Sequence, residues 1–388
     1  MIELTIRILR VVSILGCIAS SIYYFVCLVA AASFRRLWNS ATSVRGPLPP
    51  VSILKPLKGT DPDIYESFRS HCLQDYPEYE IIFGVSDPAD PAISSVEQLK
   101  REFPERSIQL VVCPTILGAN VKVSNLDHMV RQARFDCLIV NDSDIRVERD
   151  YLQRIIEPLM DDHNGMVTCL YRGVAAPTLG SRLEALGIST DFCPGVLVAR
   201  SLEGGIRFGL GSTLAFRRRD LDRAGGFQAI VDYLADDYEL GRRIAGLGLN
   251  VVLSDVIVET HLPAYGLAGF LTHQMRWARG VRDARLGGYI GLASTFGLMW
   301  GLLNVIFTHG APWLWGVLGV VALLRVTVAL TVGKGVLCDN QVLGQLWLLP
   351  LRDLIAVGVW IASFAGHTVT WRGDRFTLKK GRLTRIAP

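Results

Sequence analysis

Asn141-Asp142-Ser143-Asp144 follows the apolar run Cys137 to Val140. Two carboxylates one residue apart offer hard oxygen ligands to one divalent cation, and such a cation also bridges a diphosphate. A polar turn would use the same letters; the apolar strand leading into it is what favours a metal site. Oxygen donors suit magnesium and manganese alike. Asp87 follows a second apolar run, in Val85-Ser-Asp-Pro-Ala-Asp90. A carboxylate there either accepts hydrogen bonds from a nucleobase or ribose, or caps the next helix. Ala235-Asp236-Asp237-Tyr238 opens a helical stretch. Two acids in a first turn already satisfy the helix dipole. One of them is also a candidate general base for an attacking hydroxyl.

The cationic candidates stand elsewhere. Gly118 to Asn125 opens another helix, where backbone N–H groups and Lys122 suit donor phosphates, or where Lys122 is an ordinary surface lysine. His273-Gln274-Met275-Arg276-Trp277 precedes the last apolar block. Arg276 can neutralise a departing diphosphate, and Trp277 can wall the sugar or acceptor. A basic and aromatic helix at a membrane edge would read the same way. Arg217, Arg218 and Arg219 read as a solvated or membrane-facing patch, and residues 181–205 as an amphipathic lip toward the bilayer.

These residues need a frame. Residues 47–287 alternate strand and helix patterns, with strands at Val51–Lys55, Glu80–Ser86, Ile108–Val112 and Cys137–Asn141. Nearly continuous apolar strands separated by helix-length stretches indicate an α/β sheet covered on both faces. Ligands of such sheets bind beyond the carboxyl ends of the strands. Asp61 before Pro62 and Asp90 before Pro91 read as helix caps.

The chain has 388 residues, 50% of them hydrophobic and 20% charged, and a net charge of +4 that gives no ground for nucleic-acid binding. Its mean hydropathy of +0.32 comes from the two ends. Residues 8–32 are long enough to cross a bilayer. Arg35, Arg36 and Arg45 follow, then Lys55 and Lys58, which predicts a retained anchor with the middle domain in the cytoplasm. Arg7 and Arg10 pull the other way. Residues 288–371 hold three further candidate spans, at 288–307, 311–332 and 351–371, and 372–388 read as a basic cytoplasmic tail. Arg325, Arg352 and Asp353 lie within these spans and are expected to pair or to snorkel. One anchor and three spans would leave the tail opposite the catalytic domain, so one candidate is expected to be interfacial or re-entrant. The eight cysteines form no C-x-x-C pair, which argues against a disulfide framework or a zinc site and for a reducing compartment.

Together these segments resemble the ceramide glucosyltransferase family of inverting GT-A enzymes. The likeness covers about 47–287 and the flanking membrane segments. It rests on Asp87 in VSDPADPA, Asp142 and Asp144 in NDSD, Asp237 in LADDYELG, and the Arg276-Trp277 pair. The family pattern puts Gln or Arg three residues before Arg-Trp; here His273 stands there, with Gln274 beside it. The strings NVKVSNL, MVTCLYRG and FGLGSTLAF are also similar to a bacterial, hopanoid-linked branch.

The resemblance implies a UDP-sugar donor and a divalent metal, manganese or magnesium, on Asp144 and Asp142. It implies donor binding by Asp87, Lys122, Asp142, His273, Gln274 and Trp277. Asp237 would be the base and Arg276 the partner of the leaving group. The acceptor would be a membrane lipid, either ceramide or a bacteriohopanetetrol-type hopanoid receiving N-acetylglucosamine. The location implied is a bacterial inner membrane. A processive polysaccharide synthase shares such motifs but needs more helices for its channel. A non-catalytic scaffold would have lost a motif acid, and none is missing.

Overall fold

A computed structural model describes residues 2–39, 47–308 and 310–386; Arg45 of the basic flank lies outside them. The middle of the chain forms one eight-stranded sheet from β1 (Val51–Pro56), β2 (Tyr79–Val85), β3 (Ser107–Val112), β4 (Cys137–Val140), β5 (Ile145–Arg146), β6 (Asn164–Val174), β7 (Leu214–Arg217) and β8 (Asn250–His261). The order is β3-β2-β1-β4-β7-β6-β8-β5. β3, β2, β1 and β4 run parallel, and β7 runs antiparallel to both β4 and β6. Every residue of β1, β2 and β4 is buried, as their nearly continuous apolar runs require when helices cover both faces. Leu54 pairs with Ile82 on one side and Val140 on the other, so the carboxyl ends of β2, β1 and β4 open on one edge.

Several local expectations change. Asp90 accepts a hydrogen bond from Ala92 N at 2.9 Å and also pins Gly59 N at 2.9 Å. Asp61 caps nothing: Asp63, in the left-handed region, intervenes, and the helix starts at Ile64. Asp61 instead accepts from the Ser143 hydroxyl of the NDSD turn. Arg217 and Arg218 are not a solvated patch. Arg218 donates to the carbonyls of Val130, Ala133 and Phe135, where the helix Val121–Val130 ends and its last C=O groups lack partners. Residues 179–203 form helices that bury most of their side chains, joined by a π-helical turn at Ile188–Phe192. Seven of the eight cysteines are buried thiols.

The helix Asp236–Gly246 sits tightly on the loop before β7. A Cβ on Gly241 would stand 2.2 Å from Gly209 N and 2.5 Å from Phe208 C, both backbone atoms that cannot rotate away. Gly241→Ala is therefore expected to cost about 1–3 kcal/mol through backbone displacement. A lower unfolding temperature of the detergent-solubilised protein would register it.

The helix Ile2–Asn39 turns Leu4, Ile8, Val11, Leu15, Ile18, Ile22 and Phe25 outward, while Cys27, Ala30, Ala31 and Phe34 are buried in the catalytic core. An exposed apolar face this long requires lipid around it. Arg7 pairs with Glu3 at 2.8 Å, and Arg10 donates to Phe307 O, so both basic residues of the N-terminal end are engaged.

Among the described residues Glu3–Leu37, Pro312–Lys334 and Gln341–Ser363 are long and apolar enough to cross a membrane. Leu286–Thr295 and Gly297–Phe307 make a further candidate bent by 57°. The last helical run begins at Gln341 and ends at Ser363, not at 351 and 371. Both of its ends are held by the catalytic domain and the helix that leaves it. Gln341 bonds Ala175 N and Gly173 O at 3.0 and 2.8 Å, and Ser363 Oγ accepts from the Tyr289 hydroxyl at 2.7 Å.

Residues 368–371, expected as the end of a span, and 372–385, expected as a basic tail, form a meander of β9 (Thr368–Trp371), β10 (Asp374–Lys379) and β11 (Arg382–Arg385). Its two turns, Arg372-Gly373 and Lys380-Gly381, have positive φ at both residues, the geometry of two-residue hairpins.

Candidate active site

The carboxyl end of β4 delivers the NDSD turn. Asn141 is buried and its amide donates to Ser212 O and Thr213 Oγ1, which ties the turn to the loop before β7. The Asp142 carboxylate meets Lys122 Nζ at 2.6 Å. Lys122 lies in the first turn of the helix Val121–Val130, whose N-cap Asn120 accepts from Val123 N. It also meets Asp236 at 3.3 Å. Burial pulls the Lys122 pKa down, but Asp142 and Asp236 outweigh it and leave the group more basic than usual.

Asp237, one residue on, points elsewhere, as neighbours on a helix must. A Cβ on Gly211 would stand 3.2 Å from Asp237 Oδ2 and 3.3 Å from Asp142 Oδ2, so these two carboxylates converge on one glycine. Burial and then the Asp236 charge raise Asp237 to about 6, against the pull of Lys122.

Asp144 accepts from Thr260 Oγ1. Burial and repulsion from Asp142 raise its pKa to about 6. Asp142, Asp144, Asp236 and Asp237 thus share a region with two lysines, Lys122 and Lys55. Lys55 is fully buried at the end of β1, donates to Asp142 O at 3.0 Å, and is pulled down to about 7 by burial. The excess of carboxylates over ammonium groups, with Asp144 raised beside Asp142, fits a divalent cation with hard oxygen ligands. No cluster of three or more His, Cys, Asp or Glu side chains stands ready among the described residues, so substrate oxygens or water would complete the coordination shell.

The other sequence candidates are spread around this centre. Asp87 is exposed at the end of β2, its Oδ1 accepting from Ala89 N at 2.8 Å. Arg276 lies on the helix Leu267–Ala284, 6.0 Å from the Trp371 ring. Burial lowers its pKa to about 10, Glu184 and Asp142 opposing the drop and Arg372 adding to it. His273 turns away, its Nδ1 2.7 Å from Glu184 Oε1. Gln274 turns to the membrane side and accepts from Arg352 at 3.2 Å. Trp277 packs against Phe192 and His273.

Residues absent from the sequence reading complete the centre. Arg372, at the first hairpin tip of the meander, donates to Lys58 O at 3.0 Å and pairs with Asp61 at 3.4 Å. β11 clasps the segment before Asp236: Leu383 N donates to Asp232 O at 2.7 Å, and Leu234 N to Gly381 O at 3.0 Å. Ala119 and Leu234 pack on the small core of the meander. The loops carrying Lys122 and Asp237 therefore share one clamp.

Known proteins agree with this architecture. The model of glycosyl transferase family 21 matches residues 12–384. Ceramide glucosyltransferases 3 and 1 of Caenorhabditis elegans are each 24% identical over 388 residues, covering 95% and 96% of this chain and 82% and 81% of their own. A ceramide glucosyltransferase of Komagataella phaffii is 32% identical over 155 residues, 38% of this chain and 30% of its own. A mannosyltransferase from Pyrobaculum calidifontis, solved in complex with GDP-Man and Mn2+, superposes with a TM-score of 0.53 at 19% identity, covering 92% of this chain and 99% of its own. That likeness concerns the GT-A fold. With the family model spanning anchor, sheet, acids and meander, the chain belongs to glycosyltransferase family 21 and is a membrane glycosyltransferase of GT-A fold.

Proposed function

We propose that this enzyme transfers a hexose from a UDP-sugar to the primary hydroxyl of a ceramide-like lipid, with inversion, at the cytoplasmic face of a bacterial inner membrane. The observation that carries the reaction type is the convergence of Asp237 and Asp142 at Gly211, with Asp237 raised to about 6. A carboxylate with that pKa is ionised at neutral pH and is a stronger base than an ordinary aspartate. The ceramide glucosyltransferases matched over nearly the whole chain support the lipid acceptor.

Asp87, exposed at the end of β2, binds the uridine, and Lys122 steadies the donor phosphates. A divalent cation held by Asp144 and Asp142 would supply positive charge to the diphosphate. Asp237 takes the proton of the lipid hydroxyl. The hydroxyl oxygen forms its bond to the anomeric carbon on the face opposite the diphosphate, and the bond to UDP breaks. Arg276, and Arg372 beside it, face the charge that develops on UDP.

The contacts support one membrane arrangement. With both ends at the catalytic side, the 341–363 helix lies along the interface, and the bent helix 286–307 and helix 312–334 make one hairpin. The tail then returns to the side of the catalytic domain, and the basic flank Arg35 and Arg36 favours the cytoplasm for that side.

The reading is tested by offering purified full-length protein several UDP-sugars with ceramide and with hopanoid acceptors, and identifying products by mass spectrometry. A monoglycosylated ceramide is expected. A hopanoid glycoside alone would move the acceptor, and a polymer would replace the reaction. A second expectation concerns pH. Loss of the Asp237 charge on acidification should give kcat/KM an acid limb near pH 6, with full activity above it. Raising Mn2+ should leave that limb in place; a limb that moves with Mn2+ would belong to Asp144 instead.

A further inference from the structure

Glu184 is an unexpected carboxylate beside a site that must receive a diphosphate. It stands on the helix Leu179–Gly187, is 3% exposed, and its charge reaches Arg276, the proposed partner of the leaving group. The charges of Glu184, Asp237 and Asp142 all reach the Tyr171 hydroxyl, so Glu184 borders the same centre as the proposed base. A buried carboxylate costs desolvation energy and repels a neighbouring anion. Glutamine would fill the same space without either effect.

Its surroundings hold it in place. The Thr178 hydroxyl donates to Tyr265 O at 2.9 Å, and a Cβ on Gly180 would stand 2.7 Å from the same oxygen, so the loop carrying Tyr265 is seated on the first turn of the Glu184 helix. The Tyr265 hydroxyl donates to Glu184 Oε2. His273 Nδ1 stands 2.7 Å from Oε1, close but off the line of a good hydrogen bond. Both oxygens are thereby occupied. Arg276 lies one turn beyond His273 on the helix Leu267–Ala284 and shares its face. Among the described residues Arg276 nevertheless forms no ion pair; its guanidinium lies 6.0 Å from the Trp371 ring. Glu184 and Asp142 supply negative charge near it, and Arg372 supplies positive charge.

We propose that Glu184 is the counter-charge of Arg276, held at a distance: it offsets the partly buried guanidinium without taking up its N–H groups, which stay free for the diphosphate. The proposal rests on the leaving-group role of Arg276 above and adds what sets the strength of its grip. A carboxylate bonded directly to Arg276 would block it. Without any carboxylate there, Arg276 and Arg372 would hold UDP after transfer as firmly as they stabilise its charge during transfer. Turnover would then fall to the rate of product release. Tied by Tyr265 and placed against His273, Glu184 avoids both outcomes. It acts through Arg276 and is a positioning residue.

The test titrates purified full-length protein with UDP by calorimetry at fixed Mn2+, which needs no acceptor, and compares single-turnover with steady-state rates on a short-chain lipid. Glu184→Gln is expected to tighten UDP about tenfold and to lower kcat by a similar factor, with the single-turnover rate within about threefold of wild type. Damage to packing alone would weaken UDP binding, so the direction separates charge from structure. Tyr265→Phe keeps the carboxylate and releases Oε2, which can then turn to Arg276, and should weaken UDP. Arg276→Ala should weaken UDP as well, and adding Glu184→Gln to it should bring no tightening. Unchanged or weaker UDP binding in folded Glu184→Gln, or equal tightening in the Arg276→Ala background, would overturn the proposal. If Glu184→Gln does not fold, Tyr265→Phe decides, and unchanged UDP affinity there would overturn it. Wild-type UDP affinity in Arg276→Ala would sink the leaving-group role of Arg276 and the proposal with it, whereas a normal deficit in Arg276→Ala without tightening in Glu184→Gln would sink the proposal alone.

Discussion

Asp237→Asn should leave UDP binding intact and slow the chemical step by about two to four orders of magnitude, the usual contribution of a positioned general base. Its neighbour provides the internal control. Asp236 is buried against Lys122 and Asn120, while Asp237 reaches Gly211. Asp236→Asn should therefore lower turnover by less than about tenfold. Its main effect should be on stability, about 1–3 kcal/mol, because a buried partner of Lys122 is weakened. Stability should move the other way at Asp237. Its folded pKa of about 6 lies above the unfolded value near 3.9, so the fold loses stability as pH rises from about 4 to 6. Asparagine removes that loss, and the variant should unfold at or above the wild-type temperature at pH 7.5. Turnover with a short-chain acceptor, UDP calorimetry and thermal unfolding on both variants decide the matter. Near-normal turnover in Asp237→Asn with a dead Asp236→Asn would transfer the base to Asp236.

Asp144→Ala is expected to lower turnover by about three orders of magnitude or more and to weaken UDP-sugar binding, since several kcal/mol of charge stabilisation at the diphosphate depend on the acids of this turn. Excess chelator should reproduce both effects in the wild type, and Mn2+ or Mg2+ should reverse them. In the variant, added metal should restore neither. Below about pH 6 the wild type should also bind metal more weakly, because Asp144 must give up its proton first. Full turnover in excess chelator would remove the metal from the scheme. Lys122 and Arg276 would then have to balance the diphosphate unaided.

The parts of this architecture that follow from local physics were legible in the sequence. β1, β2 and β4 are nearly continuous apolar runs because both faces are covered, and the acids stand out because they terminate strands or open a helix. Other parts depend on neighbours far along the chain. Lys55 reads as the ordinary end of an apolar strand, and only the fold buries it under the NDSD turn. Asp61 and Asp90 have the same Asp-Pro signature, yet only Asp90 caps, because the backbone around Asp63 leaves Asp61 free to meet Ser143 and Arg372. Arg352 and Asp353 look like the start of a span, but their partners Asp191 and Arg325 draw them into a continuous helix that begins earlier. The meander did leave a local signal. Two basic-Gly pairs separate stretches of period-two alternation, TVTW, DRFTLK and RLTR, and the density of positive charge masked it.

That meander also bears on how the protein is made. The segment 232–234 leaves the ribosome long before β11, its partner strand, and the apolar helices 286–363 are synthesised between them. Chains fold from the N-terminus as they emerge. Asp237 and Lys122, the proposed base and donor lysine, consequently stay unclasped until 368–385 has been made and, in the proposed topology, has come back to the side of the sheet. A chain inserted with the wrong number of crossings would strand the clamp across the bilayer. On the proposed topology activity becomes conditional on correct insertion, and a half-made enzyme has no finished centre in which to lose nucleotide-sugar to water.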